Sequence, residues 1–141
     1  MIAVDTNVLV YVVDDSHPQK QQIAKDLIRD LHTQGTGILL WQVAVEFLAV
    51  LRRLQQHGKL SDPDVNGPLD RIRRVFPMVL PTEAVLDGAM SLAGQHSLSH
   101  WDAMLLAACI EAGVATLHTE DLSSGHKYGP VLVDNPFASV P

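Results

Sequence analysis

The chain has 141 residues, of which 47 % are hydrophobic and 18 % are charged. These proportions are normal for a globular protein with one sizeable core, so a single domain over residues 1–141 is expected. The formal net charge of −6 argues against a protein that holds nucleic acid by a generally basic surface, but it does not exclude a nuclease whose acids are neutralised by metal ions.

A membrane-spanning or secreted protein is not expected. No segment approaches the roughly 18 uninterrupted apolar residues that a membrane span needs. The N-terminus has no basic region ahead of an apolar stretch, as a signal peptide would have. The only cysteine, Cys109, rules out an internal disulfide and lies in an apolar helical segment, so we expect a core thiol in a cytoplasmic protein.

Short apolar strands alternate with amphipathic helices along the chain. From the N-terminus, the pattern predicts a strand at 2–4, an apolar helical turn at 7–13, a helix at 19–32, a strand at 38–40 and a helix at 42–56. A further helix after Ser61 is interrupted at Gly67-Pro68, and strands at 78–80, 114–117 and 131–133 then alternate with helices at 83–96 and 99–112. This alternation is typical of a parallel sheet covered on both faces, so the sequence predicts a three-layer α/β/α fold.

Four acids are predicted to meet at one edge of this sheet. Asp5 and Asp121 each follow a strand, and the ligands of such folds lie outside the carboxyl ends of the strands. Glu46 lies beside an apolar helical stripe, and Asp102 shares a face with apolar residues of its helix, so both are expected to point inward. Because buried carboxylates are costly without compensation, several together predict a site for a hard metal ion with oxygen ligands.

Each acid also has an explanation that involves no metal. Asp5 is a favourable helix N-cap, and Asp102 follows Ser99 in a capping-box pattern. Glu46 could pair with an arginine, and Asp121 could be an ordinary turn residue. The prediction therefore depends on the four acids as a set.

Other chemistries lack their motifs. The histidines include only one pair at helical spacing, His96 and His100, and Ser97 to Ser99 interrupts that spacing, so a zinc site is not expected. The chain contains no glycine-rich nucleotide-binding motif and no nucleophile elbow. No histidine or lysine is placed as an obvious general base, whereas divalent metal ions both activate water and absorb charge on a leaving oxygen in phosphodiester hydrolysis.

Five segments carry the strongest indication of function: Val4-Asp-Thr-Asn-Val-Leu-Val-Tyr11, Trp41-Gln-Val-Ala-Val-Glu-Phe47, Ser99-His-Trp-Asp-Ala-Met-Leu-Leu-Ala-Ala108, Leu117-His-Thr-Glu-Asp-Leu122 and Val131-Leu-Val-Asp-Asn-Pro-Phe137. No single segment is decisive, but the set is specific. In this order and at this spacing the segments resemble the PIN-domain ribonucleases, and most closely the VapC-type toxins of bacterial toxin–antitoxin pairs.

The resemblance implies a five-stranded parallel sheet between helices, a Mg²⁺ or Mn²⁺ site, and endoribonuclease activity on single-stranded RNA. It also implies a homodimer and a small antitoxin whose tail enters the acidic groove. The family's metal-binding acids correspond to Asp5, Glu46, Asp102 and Asp121. Its neighbouring polar residues correspond to Thr6, Asn7 and Thr119, and Glu120 could share the role given to Asp121.

Three other functions compete with this interpretation. A phosphoacceptor module resembling a receiver domain would need an aspartate after the third strand, which instead ends Leu80-Pro-Thr82. A phosphatase with an aspartyl nucleophile would need aspartates at positions 5 and 7, but position 7 is Asn7. An inactive or metal-binding PIN-like domain that acts through a protein partner stays open.

Arginines are concentrated in two helical segments. Arg52 and Arg53 follow Glu46 on the same predicted helix, so they could contact RNA phosphates close to the acids, and three further arginines on the next helix could extend that track. The alternative is a solvated helix face.

Overall fold

Six strands form one sheet in the structure of the protein, a computed structural model that describes residues 1–141. They are β1 (Ile2–Val4), β2 (Gly37–Leu40), β3 (Met78–Val79), β4 (Thr116–His118), β5 (Lys127–Tyr128) and β6 (Val131–Asp134). Their spatial order is β3-β2-β1-β4-β6-β5. All neighbouring strands are parallel except β5 and β6, which are antiparallel.

The expected α/β fold is confirmed, but the prediction of five strands is wrong by one. The additional strand, β5, lies between the predicted strands at 114–117 and 131–133, where the sequence predicts neither helix nor strand, and it pairs only with β6 through the turn at Gly129. A strand of two residues is too short to show an alternation of apolar and polar side chains, so periodicity cannot reveal it.

Helices cover the sheet. They are α1 (Thr6–Val13), α2 (Pro18–Gln34), α3 (Trp41–Gln56), α4 (Gly67–Val75), α5 (Ala84–Gln95) and α6 (His100–Glu111). Gly67-Pro68 begins α4 instead of interrupting a longer helix, because proline fits the first turn, where its missing N–H has no partner to lose. No helix of the structure is long and apolar enough to cross a bilayer.

The core lies between the sheet and its helices. Every residue of β2 is buried, and Phe47 of α3 and Phe76 are among the largest fully buried side chains. Cys109 is buried in α6, and this burial raises the pKa of its thiol to about 12, which fits the predicted core role.

The strand order brings together the ends of distant segments. β1 lies between β2 and β4, and Val4 is in register with His118. The residues that follow these two strands, Asp5 and Thr119, therefore emerge side by side at the carboxyl edge of the sheet. In open α/β sheets the binding crevice forms where neighbouring strands connect in opposite directions, as β1 and β4 do here.

Candidate metal centre

Asp5 is the only buried charged residue, with 7 % of its surface exposed. It caps the N-terminus of α1, where its Oδ1 accepts a hydrogen bond from the Thr6 N–H at 2.7 Å. Its Oδ2 accepts a hydrogen bond from the Thr119 hydroxyl, also at 2.7 Å. The N-cap explanation of Asp5 is therefore correct, but it accounts for only one of the two carboxylate oxygens.

Burial raises the pKa of Asp5 from its ordinary value of 3.8 to about 6. The hydrogen bonds from Thr119 and Thr6 oppose this rise, whereas the charges of Asp121 and Glu46 add to it. Asp121 and Glu46 are therefore close enough to Asp5 for their negative charges to disfavour its ionisation. A cation bound beside Asp5 would offset both the cost of burying its charge and the repulsion from the other two acids.

The two residues after Asp5 hold the neighbouring acids. The Thr6 hydroxyl donates to Glu46 Oε2 at 2.9 Å, and the Asn7 amide nitrogen donates to Asp121 Oδ2 at 3.1 Å. The first turn of α1 thus connects to α3 on one side and to the loop after β4 on the other.

Thr119 joins the same network. Its side-chain oxygen accepts from the Asn7 amide nitrogen at 3.2 Å and from the Asp121 N–H at 3.1 Å, while it donates to Asp5. The Asn7 Oδ1 atom is buried and has no hydrogen-bond partner. A buried acceptor without a protein partner is usually satisfied by an ion or an ordered water.

Asp102 lies in the first turn of α6, where its N–H donates to the Ser99 side chain at 3.2 Å. Its half-buried carboxylate takes part in none of the hydrogen bonds that link the other three acids. The link between the two regions is Gln42, whose amide nitrogen donates to Glu46 Oε1 at 3.0 Å and to the Trp101 carbonyl at 3.1 Å. Sequence analysis missed Gln42, although it precedes Glu46 by one helical turn.

Glu120 is held elsewhere. Its Oε1 accepts from the Tyr11 hydroxyl at 2.7 Å, and its Oε2 accepts from the Lys20 ammonium at 2.9 Å. Burial alone would raise the pKa of Glu120, but these two hydrogen bonds lower it below its ordinary value. As the side chains stand, Asp121 shares the network of Asp5 and Glu120 does not, which favours Asp121 of the two.

The donors suit a hard divalent cation, but the set is open. No three of the Asp, Glu, His and Cys side chains are close enough together to hold a metal ion as they stand. Mg²⁺ and Mn²⁺ accept few protein carboxylates, and Mg²⁺ in particular keeps several waters. An open set of oxygen ligands around the buried Asp5 therefore fits such an ion, whereas the closed sites of structural zinc have no counterpart here.

An apolar cavity of about 450 Å³ opens beside Glu46, and Glu111 is the other acid in its lining. Trp41, Val45 and Trp101 also line it, and they leave 45 %, 50 % and 61 % of their surfaces exposed. Exposed apolar surface of this kind next to a polar site is typical of a contact with another protein.

Arg52 and Arg53 of α3 are exposed and make no ion pair. The same is true of Arg73 and Arg74 of α4. Arg53 follows Glu46 by nearly two full helical turns, so it lies on the same face of α3, about 10 Å further along the axis. Arg52 lies on a neighbouring face, in line with Val45 and Ala49.

Comparisons with known proteins agree with this architecture. The model of the PIN domain family matches residues 2–124 and so ends before β5 and β6. A toxin–antitoxin complex from Klebsiella pneumoniae contains a chain with a TM-score of 0.66 at 14 % identity, and the match covers 96 % of this chain and 98 % of that one. VapBC2 from Rickettsia felis, bound to a DNA fragment from its promoter, gives a TM-score of 0.71 at 13 % identity with the same coverage. No curated protein matches the chain significantly in sequence.

Proposed function

Since this chain belongs to the PIN domain family, we propose that it is a metal-dependent endoribonuclease that cleaves single-stranded regions of RNA and serves as the toxin of a toxin–antitoxin pair. The observation that carries the proposal is the carboxylate cluster at the edge of the sheet. Asp5 is buried without a cationic partner, and the charges of Glu46 and Asp121 raise its pKa further. A protein that had no use for a cation would have little reason to keep this arrangement.

In this proposal Mg²⁺ or Mn²⁺ is held by Asp5, Glu46, Asp102 and Asp121. When bound, the metal supplies an activated water and stabilises the charge that develops on the leaving oxygen. The chain's other residues orient the ligands: Thr6 holds Glu46, Asn7 holds Asp121, and Thr119 holds Asp5. No histidine or lysine hydrogen-bonds to the four acids. The proposal therefore assigns the role of general base to neither residue type.

The proposed partners are RNA, an antitoxin and a second copy of the chain. The two similar structures are toxin–antitoxin complexes, which supports an antitoxin here. An arginine of the antitoxin near Asp5 and Asp102 could replace the charge of the metal and pair with carboxylates in a bidentate manner. The apolar cavity beside Glu46 supports a protein contact, and we assign it to the homodimer. A cytoplasmic location is part of the same proposal, since RNA and an antitoxin would both be met there.

The direct test is cleavage by the purified protein of a fluorescently labelled, unstructured oligoribonucleotide. We expect internal cuts that require Mg²⁺ or Mn²⁺ and cease with a chelator. Asp5→Asn and Asp102→Asn should abolish cleavage while the far-ultraviolet circular dichroism stays that of the native protein. Asp70→Asn, which removes the same charge from an exposed position of α4, is the matched control and should cleave normally.

A wild-type rate in either site variant at saturating Mg²⁺ would refute the assigned roles. If no RNA is cut with any divalent metal, the inactive or metal-binding domain that acts through a protein partner becomes the better explanation. A small reading frame next to this one would support the pairing with an antitoxin.

A further inference from the structure

A second hydrogen-bonded cluster lies on the loop after β4, one residue before Asp121. The Tyr11 hydroxyl of α1 donates to one oxygen of Glu120, and the Lys20 ammonium of α2 donates to the other. Lys20 also donates to the Tyr11 oxygen at 3.1 Å, so the three side chains form a closed triangle. Each oxygen of Glu120 therefore has its own donor.

The triangle is more enclosed than an ordinary surface ion pair. The side chains of Lys20 and Glu120 are each only 23 % exposed. The Tyr11 ring packs edge-on against Phe137 at 4.9 Å between centroids, and the Lys20 ammonium lies 4.9 Å from the centre of the Tyr11 ring. Exposed ion pairs contribute little because both side chains remain mobile, whereas a partly buried acid with two donors is held in one place.

Three consecutive residues of the loop are thereby fixed to three different places. Thr119 is bonded to Asp5, Glu120 to Tyr11 and Lys20, and Asp121 to Asn7. Glu120 and Asp121 are both acids on one short loop, and either could be drawn toward the cation site. Loss of the triangle would release Glu120 and loosen the backbone that carries the next residue, Asp121.

We propose that Tyr11 and Lys20 are positioning residues that, by holding both oxygens of Glu120, direct Asp121 and not Glu120 to the metal site. They touch neither metal nor RNA and act only through Glu120. The inference rests on the proposed function, because it assigns roles around the proposed metal site.

The test measures Mn²⁺ binding by titration calorimetry without RNA, together with the metal dependence of cleavage. Tyr11→Phe and Lys20→Met should each weaken Mn²⁺ binding about 10-fold, in line with losses seen when partners of metal ligands are removed. The metal concentration for half-maximal cleavage should rise by a similar factor, and kcat at saturating metal should recover. Because metal binding also stabilises the folded protein, a purely structural role is excluded by showing that each variant is fully folded without metal at the temperature of the titration.

Matched controls are available in the chain. Tyr128→Phe deletes the hydroxyl of the only other tyrosine, which makes no hydrogen bond, and should leave Mn²⁺ affinity unchanged. Lys20→Arg keeps the ion pair and should bind Mn²⁺ like the wild type. Thermal unfolding of every variant verifies that each is folded when titrated.

A double-mutant cycle tests whether Tyr11 acts through Glu120. In a Glu120→Ala background, Tyr11→Phe should have no further effect on Mn²⁺ affinity. Wild-type affinity in Tyr11→Phe and Lys20→Met would overturn the inference, and so would additive effects in the cycle. It would also be overturned if Glu120→Ala lost more affinity than Asp121→Asn, since Glu120 would then be the ligand.

The outcomes separate this inference from the proposed function. If the wild type binds Mn²⁺ but cuts no RNA, the nuclease proposal fails while the comparison of affinities still decides the roles of Tyr11 and Lys20. If the wild type binds no Mn²⁺, both fail together.

Discussion

At the scale of single residues, Asp5 has the largest energetic consequence. Its carboxyl is buried and receives two hydrogen bonds, but no basic side chain neutralises it. Burial and the charges of two other acids raise its pKa to about 6, so the folded protein binds a proton there more readily than the unfolded chain does. Asp5 therefore destabilises the metal-free protein once it is ionised.

This leads to a prediction about pH. The unfavourable contribution of Asp5 is absent below about pH 4, grows as pH rises toward 6, and reaches about 3 kcal/mol above that, from a pKa difference near two units. Asp5→Asn should raise the free energy of unfolding at pH 7.5 by about 1–3 kcal/mol, because the amide still fills the site but keeps fewer of the hydrogen bonds. Urea denaturation in a chelator at pH 7.5 and pH 4 measures it.

Two controls accompany that measurement. The gain in Asp5→Asn should shrink at pH 4, and Mg²⁺ should stabilise the wild type but not the variant, since the ligand binds only the folded state of the former. A variant less stable than the wild type at pH 7.5 would show that the hydrogen bonds of Asp5 outweigh its burial and repulsion.

At the scale of elements, β2 packs closely against the segment that precedes β3. β2 begins at Gly37, and a Cβ atom there would lie 2.4 Å from an aromatic carbon of Phe76. Phe76 is itself buried, so its ring cannot move away without disturbing the core. Glycine is required at this position for the close approach of the strand to the segment that precedes β3.

Opposite effects are therefore predicted for two substitutions of glycine by alanine. Gly37→Ala should lower the free energy of unfolding by about 1–3 kcal/mol through overpacking. Gly94→Ala lies in helix α5 with open space around the new methyl group, and it should raise the free energy of unfolding by about 0.5–1 kcal/mol. Chemical denaturation of both variants decides the question, and equal signs would contradict this description of the packing.

Helix α3 carries both an acid of the site and free arginines. Changing Arg52 and Arg53 to Ala should weaken binding of a single-stranded oligoribonucleotide and flatten its dependence on salt, because fewer counterions are released. Mn²⁺ affinity should stay normal. The matched control replaces Lys25 and Arg29 of α2, a helix that contributes no acid to the site. An unchanged dependence on salt would mean that Arg52 and Arg53 belong to a solvated helix face and do not contact RNA.

At the scale of the whole molecule, the proposed contacts with RNA and with protein fall on different surfaces. A net charge of −6 repels RNA overall, so the proposed contacts with RNA would be confined to a local strip such as the arginines of α3. The cavity beside Glu46 is apolar, and its acids, Glu46 and Glu111, do not favour a polyanion. It suits a protein better than RNA.

The corresponding prediction concerns the homodimer. Val45→Glu introduces a charge into this cavity and should shift the protein toward the monomer, measured by light scattering coupled to size-exclusion chromatography. Gln55→Glu adds the same side chain to an exposed position of α3 outside the cavity and should leave the mass unchanged. A dimer that persists in Val45→Glu would place the interface elsewhere and free the cavity for the antitoxin.

Two features follow from the order of residues along the chain: the layers of the fold and the acids of the candidate site. Apolar strands alternating with helices predict the α/β fold without reference to any distant contact. Asp5 comes directly after β1 and Asp121 comes three residues after β4, which predicts that both lie at the carboxyl edge. The period of a helix likewise turns Glu46 inward. These are local properties of the chain, so the spacing of apolar residues and the positions of glycine and proline are enough to predict them.

The hydrogen bonds that hold the acids join residues from distant parts of the chain. Thr119 bonds Asp5 across 114 positions of sequence, and Glu120 bonds Tyr11 across 109, so no local pattern could announce either pair. The same is true of Gln42, which joins α3 to α6, and of β5, whose two residues pair only because β6 lies beside them. Spacing shows which side chains leave the sheet at one edge, but the choice between Glu120 and Asp121 depends on donors that reach that edge from other helices.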